Sequence, residues 1–139
     1  MFDDFIKAGK VRKGTPDIAL AKSLIAMSEA HLAFITGITI TERNASPVLV
    51  NYYEALREIC EALCATQGFK VYSHEAFTSY LKERLREELI AEKFDRLRRL
   101  RNGVNYYGEQ VNAAETNAAA ADVKALIATL KGKYLTAPR

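Results

Sequence analysis

A repeated helix-start signal is the strongest constraint on what this chain can fold into. Thr15 precedes Pro16, and Ser46 precedes Pro47. A Ser or Thr cap followed by proline at the first helical position is typical of a helix N-terminus. After each pair, apolar side chains recur at helical spacing for several turns. These patterns predict two long helices and favour an all-α fold.

Apolar periodicity extends the helical prediction over most of the chain. Met1 to Gly14 carries Phe2, Phe5 and Ile6 at helical spacing and is predicted to be a short helix plus a flexible linker. The longer predicted helices run, in chain order, over about Pro16–Thr36, Pro47–Gln67, His74–Leu85, Glu87–Gly103 and Ala113–Tyr134, with apolar faces that include Leu89, Phe94, Ala118, Ala121 and Leu130. Short links force neighbouring helices to run antiparallel, so we expect an up-and-down bundle of four to five helices.

Length and cysteine content favour one reduced domain. The chain has 139 residues, which is the usual size of a domain with a single hydrophobic core. Cys60 and Cys64 lie on one helix face, poorly aimed for a disulfide, and are interpreted as small buried apolar residues. We find no signal peptide and no apolar run near the roughly 18 residues that span a bilayer, so a cytoplasmic protein without a membrane span is expected.

Several kinds of chemistry lack a motif in this sequence. The two histidines, His31 and His74, are isolated, and no pattern of Cys, His or Glu has the spacing of metal ligands. The glycines do not form a phosphate loop or a dinucleotide fingerprint. Neither a metal nor a cofactor is predicted.

The strongest candidate for a functional site is the stretch from Arg96 to Gly108. Arginines at 96, 98, 99 and 101 have no acid between them, and two Asn and two Tyr side chains follow. Guanidinium groups can bind phosphates bidentately, and tyrosine rings can stack on bases. The alternative is structural: cations offset the dipole at a helix C-terminus, Asn-Gly ends a helix, and surface arginines pair with acids. These observations leave both interpretations open.

Arg101 differs from the neighbouring arginines because it lies near the apolar stripe of its helix. A partly buried arginine needs an acceptor. We expect this acceptor to be an acid of the second long helix, Glu54, Glu58 or Glu61, or a phosphate of a ligand.

The chain resembles the HEPN domains of prokaryotic toxin and defence systems. The similarity covers the helix that begins near Pro47, including Tyr52 to Leu63, the third helix that begins at His74, and Arg101-Asn102 near the end of the fourth. The family motif is an Arg, commonly followed by Asn or another polar residue, then four to six residues and a His. Tyr106 stands at the position of that His in this chain.

The resemblance implies a homodimer with an Arg101-centred cleft between the subunits. Catalytic HEPN members cleave RNA without a metal, using the Arg and the His, and many are paired with a nucleotidyltransferase. Cleavage needs a group that titrates near pH 7, and an ordinary tyrosine has a pKa near 10. We therefore predict that the protein binds RNA or nucleotide phosphates, in preference to cleaving RNA.

Three functions remain open from the sequence. The first is phosphate binding, with the candidate residues Arg98, Arg101, Asn102, Asn105, Tyr106, Tyr107 and Glu58. The second is a metal-independent endoribonuclease in which Arg101 stabilises the phosphate and Tyr106 carries the proton. The third is a protein–protein interaction module whose arginines meet an acidic partner.

Overall fold

A helical bundle accounts for most of the chain, as the sequence predicts. The computed structural model describes residues 1–136, and it is 74% helical. Its elements are α1 (Phe2–Lys7), β1 (Val11–Lys13), α2 (Ile18–Thr36), α3 (Ala45–Thr66), β2 (Phe69–Val71), α4 (His74–Ser79), a π-helical segment (Tyr80–Arg84), α5 (Glu88–Tyr107) and α6 (Ala113–Tyr134).

Helix α3 is the centre of the bundle because its apolar residues point in all directions. Leu49, Leu56 and Ile59 are all 1% exposed or less, and α2 and α6 pack along the helix. Burying such side chains contributes about 1.5–3 kcal/mol each. Cys60 and Cys64 are buried here as free thiols, which confirms their interpretation as core residues.

Both predicted helix caps are wrong. The N-cap of α2 is Asp17, whose carboxylate accepts a hydrogen bond from the Leu20 amide at 3.0 Å. A carboxylate stabilises the positive end of the helix dipole, so the helix begins two residues later than the Thr15 cap would set it. Helix α3 already includes Ser46, whose hydroxyl accepts a hydrogen bond from the Val111 amide at 3.1 Å instead of capping.

The N-terminal segment forms a strand where a linker is predicted. Strand β1 pairs antiparallel with β2, with Val11 opposite Val71 and Arg12 opposite Lys70. We call this pair of strands the β-ribbon. At one end Gly68 has a φ of 83°, and its carbonyl accepts a hydrogen bond from the Gly14 amide at 2.7 Å. Strands of three residues are too short for an alternating pattern to identify them.

Helix α5 continues past the predicted Asn102-Gly103 end. Its C-cap is Gly108, in the left-handed conformation with a φ of 65°, which is the common way for a helix to end. The side chain of Glu109 occupies the space beside Gly103 where a Cβ would lie. The candidate residues Asn102 to Tyr107 therefore lie on the last turns of a helix and not in a loop after it.

Three predicted core positions face solvent. Leu89 is 65% exposed, because it lies two residues, about 200° around the helix, from the buried Ala91. Ala118 and Ala121 are also exposed. A run of alanines has no apolar periodicity, so the buried face of α6 is not readable from the sequence. The predicted bounds of α6 are confirmed, with Asn112 and Glu115 forming a capping box.

Helix α2 is long enough and apolar enough to cross a membrane, by length and composition alone. The prediction that the chain has no apolar run of this length is therefore wrong. The same helix packs Ala21, Leu24 and Ile35 against the bundle. Of its apolar window, 22% is buried, and Met27 and Phe34 are 54% and 70% exposed.

Candidate functional site

Three helices bring Tyr53, His74 and Arg101 together. Tyr53 lies in the middle of α3, His74 is the first residue of α4, and Arg101 lies near the end of α5. The Arg101 guanidinium carbon is 5.0 Å from the centre of the Tyr53 ring. Its Nη2 lies 3.2 Å from His74 Nδ1, and the Tyr53 hydroxyl lies 3.0 Å from the same nitrogen. Arg101 is partly buried, as its position near the apolar stripe predicts.

The contact with Arg101 fixes the tautomer of His74. A guanidinium only donates hydrogen bonds, so Nδ1 must be the acceptor and the ring proton of neutral His74 is on Nε2. Nε2 has no hydrogen-bond partner in residues 1–136. Every fully buried side-chain nitrogen or oxygen in that range does have a partner. Nε2 therefore reaches solvent and can donate to a ligand.

Burial and nearby positive charge keep His74 neutral. Burial, followed by the charges of Arg101 and Arg57, lowers the pKa of His74 to about 4. Both effects disfavour the imidazolium. At pH 7 the site therefore carries the charge of Arg101 beside a neutral imidazole.

None of the acids expected to neutralise Arg101 does so. Glu54 and Glu61 both pair with Arg57 on α3. Glu58, which is 1% exposed, is bound by His31 Nδ1 of α2 at 2.9 Å. All three carboxylates are thus bound by other side chains, namely Arg57 and His31. No ion pair to Arg101 exists among residues 1–136. The predicted carboxylate acceptor is therefore wrong.

The other three arginines of the cluster are ion-paired. Arg96 pairs with Asp122 at 2.8 Å. Arg98 and Arg99 both pair with Asp95, at 2.9 Å and 2.8 Å. The surface ion-pair interpretation thus holds for these three arginines, although Arg98 and Arg99 share the single carboxylate of Asp95. Arg101 alone of the four has no ion pair in the part of the chain that the structure describes.

An open cleft of about 330 Å³ exposes Arg101 to solvent. We call it the Arg101 cleft; it is lined by Tyr72, Ser73, His74, Glu75, Arg98, Arg101, Asn102 and Tyr106. A larger cleft of about 600 Å³ shares no lining residue with it. The two arginines of the larger cleft, Arg96 and Arg99, are paired with Asp122 and Asp95. The smaller cleft is therefore the better candidate for an anion.

The remaining predicted site residues divide into two groups. Asn102 Oδ1 accepts a hydrogen bond from Arg101 Nη1 at 2.7 Å, and the Tyr106 ring centre lies 5.8 Å from the guanidinium carbon. Both residues line the Arg101 cleft. Asn105 and Tyr107 are exposed and lie outside its lining, and Glu58 faces α2.

Sequence reasoning missed three residues of the site: Tyr53, Tyr72 and His74. Tyr53 and His74 are in contact between α3 and α4, and Tyr72 lines the Arg101 cleft from the end of β2. No local spacing in the sequence reports such long-range proximity. The one available signal is that His74 begins a predicted helix, where a side chain often lies at a surface. Within residues 1–136, no group of three or more His, Cys, Asp or Glu side chains is placed to hold a metal ion.

The low pKa of His74 predicts a loss of stability in acid. The unfolded chain binds a proton at His74 below about pH 6.5, whereas the folded chain does so only below about 4. The unfolded state thus gains stability as the pH falls through this window, and the cost to folding is about 2 kcal/mol. Urea unfolding at pH 7.5 and 4.5 should show this loss in the parent and its absence in His74→Gln. Equal pH dependence of the two proteins would contradict the assignment.

Comparison with known protein families, with curated proteins and with solved structures found no match for this chain. The function is therefore argued from the Arg101 cleft itself.

Proposed function

We propose that this chain is a HEPN-type homodimeric domain that binds RNA or nucleotide phosphates in the Arg101 cleft. One observation carries the proposal. Arg101 is a partly buried arginine that lines an open cleft and has no carboxylate partner among residues 1–136. A guanidinium in this setting favours an anion as its missing partner.

The surroundings of Arg101 orient it for such a ligand. Asn102 accepts from Nη1, His74 accepts from Nη2, and the Tyr53 ring lies beneath the guanidinium. Two of its five N–H donors are used in this way, and three remain for a ligand. A side chain held in advance loses less conformational entropy on binding than a mobile one.

Further groups in the cleft match a nucleotide better than a simple anion. His74 Nε2 and the Tyr106 hydroxyl are additional donors for phosphate oxygens. Tyr72 and Tyr106 are 55% and 68% exposed, and exposed aromatic rings stack on unpaired bases at about 1–3 kcal/mol per base.

The resemblance to HEPN domains supports the remaining parts of this proposal. It rests on Arg101-Asn102 and on the helices around them. A homodimer, a nucleotidyltransferase as partner, and a role in a toxin–antitoxin or defence system follow from the resemblance alone.

A metal-independent endoribonuclease is the second candidate, and His74 is the observation that favours it. The imidazole that the sequence lacks after Arg101 is supplied in space by His74, 3.2 Å from the guanidinium. To accept the proton of an attacking ribose hydroxyl, His74 must release Arg101 from Nδ1, because Nε2 already carries the ring proton. The pKa of about 4 makes His74 a weak base at pH 7. We therefore favour phosphate binding over RNA cleavage as the function. Cleavage of RNA in EDTA that His74→Gln abolishes and Tyr106→Phe retains would establish this candidate.

Replacing Arg101 with Ala tests the proposed function. We expect Arg101→Ala to bind a 5′-phosphorylated RNA oligonucleotide at least tenfold more weakly at low salt, a loss of about 1.4 kcal/mol or more. Arg96→Ala is the matched control, because Arg96 lies on the same helix and is paired with Asp122. It should change the affinity less than twofold, as measured by fluorescence anisotropy.

Equal affinities of the parent and Arg101→Ala would overturn the proposal. Equal losses in Arg101→Ala and Arg96→Ala would also overturn it, because binding would then depend on total charge. Failure of the parent to bind any RNA or nucleotide, together with tight binding of an acidic protein, would favour the interaction module.

A further inference from the structure

The β-ribbon carries a basic surface that the fold itself does not require. Arg12, Lys13 and Lys70 are exposed on its two strands, and Lys10 lies just before β1. No ion pair involves any of these four side chains within residues 1–136. The apolar residues of the ribbon, such as Val11, face the core.

The strand register places two of these cations directly opposite each other. Arg12 is the antiparallel partner of Lys70. Like charges at opposed positions destabilise a pair of strands, and a two-stranded sheet is only marginally stable to begin with. Asp17 lines the same cleft as Arg12 and Lys70, but it forms no ion pair with either of them within residues 1–136. A bound polyanion would reduce the repulsion between the two cations.

The basic surface is continuous with the Arg101 cleft. Tyr72 follows β2 directly, and its amide donates a hydrogen bond to the Lys10 carbonyl at 2.8 Å. The Lys70 ammonium lies 6.0 Å from the centre of the Tyr72 ring, and that ring lines the Arg101 cleft. The exposed Tyr72 therefore lies between the two cations of the ribbon, Arg12 and Lys70, and Arg101.

We propose that the β-ribbon extends the Arg101 cleft into a longer surface that binds single-stranded RNA. The inference rests on the proposed function, since it takes one phosphate to lie at Arg101. Arg12 and Lys70 would then bind phosphates further along the same strand. A single strand is favoured over a duplex because Tyr72 and Tyr106 can stack only on unpaired bases. Surfaces that bind single strands usually combine basic side chains with exposed aromatic rings.

The length dependence of binding tests this proposal with the full chain. We expect a 5′-phosphorylated single-stranded 12-mer RNA to bind at least tenfold more tightly than the 5′-phosphorylated dinucleotide. The double variant Arg12→Ala with Lys70→Ala should lose most of that advantage and bind the dinucleotide as the parent does. Its slope of log affinity against log salt for the 12-mer should be shallower by about 1.4, as two phosphate contacts require.

A charge-matched control distinguishes the ribbon from total charge. Arg43→Ala with Lys124→Ala removes one exposed arginine and one exposed lysine elsewhere on the protein. This control should keep the preference for the 12-mer. Circular dichroism shows whether each variant keeps its helices, and retained dinucleotide binding shows whether the cleft is intact.

Four results would overturn the inference. These are an unchanged length preference in the ribbon variant, an equal loss in the charge-matched control, equally tight binding of a blunt RNA duplex, and a ribbon-dependent affinity for phosphatidylserine vesicles with none for RNA. The proposed function fails separately, through dinucleotide binding that Arg101→Ala leaves unchanged. The ribbon can thus be wrong while the Arg101 cleft still binds a phosphate.

Discussion

Phe94→Ala is expected to lower the free energy of unfolding by about 3–5 kcal/mol. Phe94 is completely buried at the junction of α3, α4 and α5. Its ring contacts Tyr53 at 5.6 Å and Phe77 at 6.1 Å between centres. Truncation removes the transfer free energy of the ring and leaves a cavity that a helical bundle closes only in part.

The same substitution links the core to the site. Tyr53 packs on Phe94 on one side and on the Arg101 guanidinium on the other. Loss of Phe94 should therefore loosen the platform of Arg101 and weaken RNA binding in protein that is still folded.

Leu89→Ala is the matched control, on the same helix but 65% exposed, and should cost less than about 0.5 kcal/mol. Chemical denaturation of the three proteins measures the difference. Similar midpoints for Phe94→Ala and Leu89→Ala would contradict the assigned packing.

His31→Ala is expected to destabilise the fold by about 3 kcal/mol. Among residues 1–136 it removes the one side-chain partner of Glu58, whose carboxyl is 1% exposed on the face of α3 that meets α2. A buried carboxylate without a partner costs several kcal/mol, whereas an apolar pair of similar volume is often neutral or better. The double variant His31→Leu with Glu58→Leu should therefore recover most of the lost free energy of unfolding, as measured by chemical denaturation.

Glu29→Ala provides the comparison for an exposed pair. Glu29 lies on the same helix, is 57% exposed and pairs with Lys131 at 2.7 Å. Surface pairs contribute about 0–1 kcal/mol, so this variant should unfold close to the parent. If His31→Ala is no more destabilising than Glu29→Ala, the His31–Glu58 contact does not hold α2 to α3.

The helices were predictable where apolar periodicity is strong. The patterns around Leu56 and Phe94 identify their helices because 3.6-residue spacing reports burial directly. Helix ends were less predictable, since Asn102-Gly103 has the composition of a stop and yet lies inside α5. The true end depends on the left-handed Gly108, and two glycines five residues apart offer the same local signal.

The candidate site was only partly predictable for a related reason. Arg101 stands out in the sequence because it lies close to the stripe of Phe94 and Leu97, which predicts its partial burial. Its partners His74 and Tyr53 come from other helices. The pairing of acids with arginines also depends on tertiary packing. Glu54 and Glu61, for example, form ion pairs with Arg57 and not with Arg101. A β-ribbon whose two strands have three residues each leaves no pattern in the sequence.

The central claim is that Arg101, and not the arginines beside it, binds a phosphate. The most direct measurement is an NMR titration that follows the arginine side-chain Nε–Hε signals while a 5′-phosphorylated RNA dinucleotide is added. We predict that the Arg101 signal shifts and saturates, while the signals of Arg57 and Arg96, which are held by acids, stay in place. An unmoved Arg101 signal, or equal shifts of Arg101 and Arg96, would contradict the account.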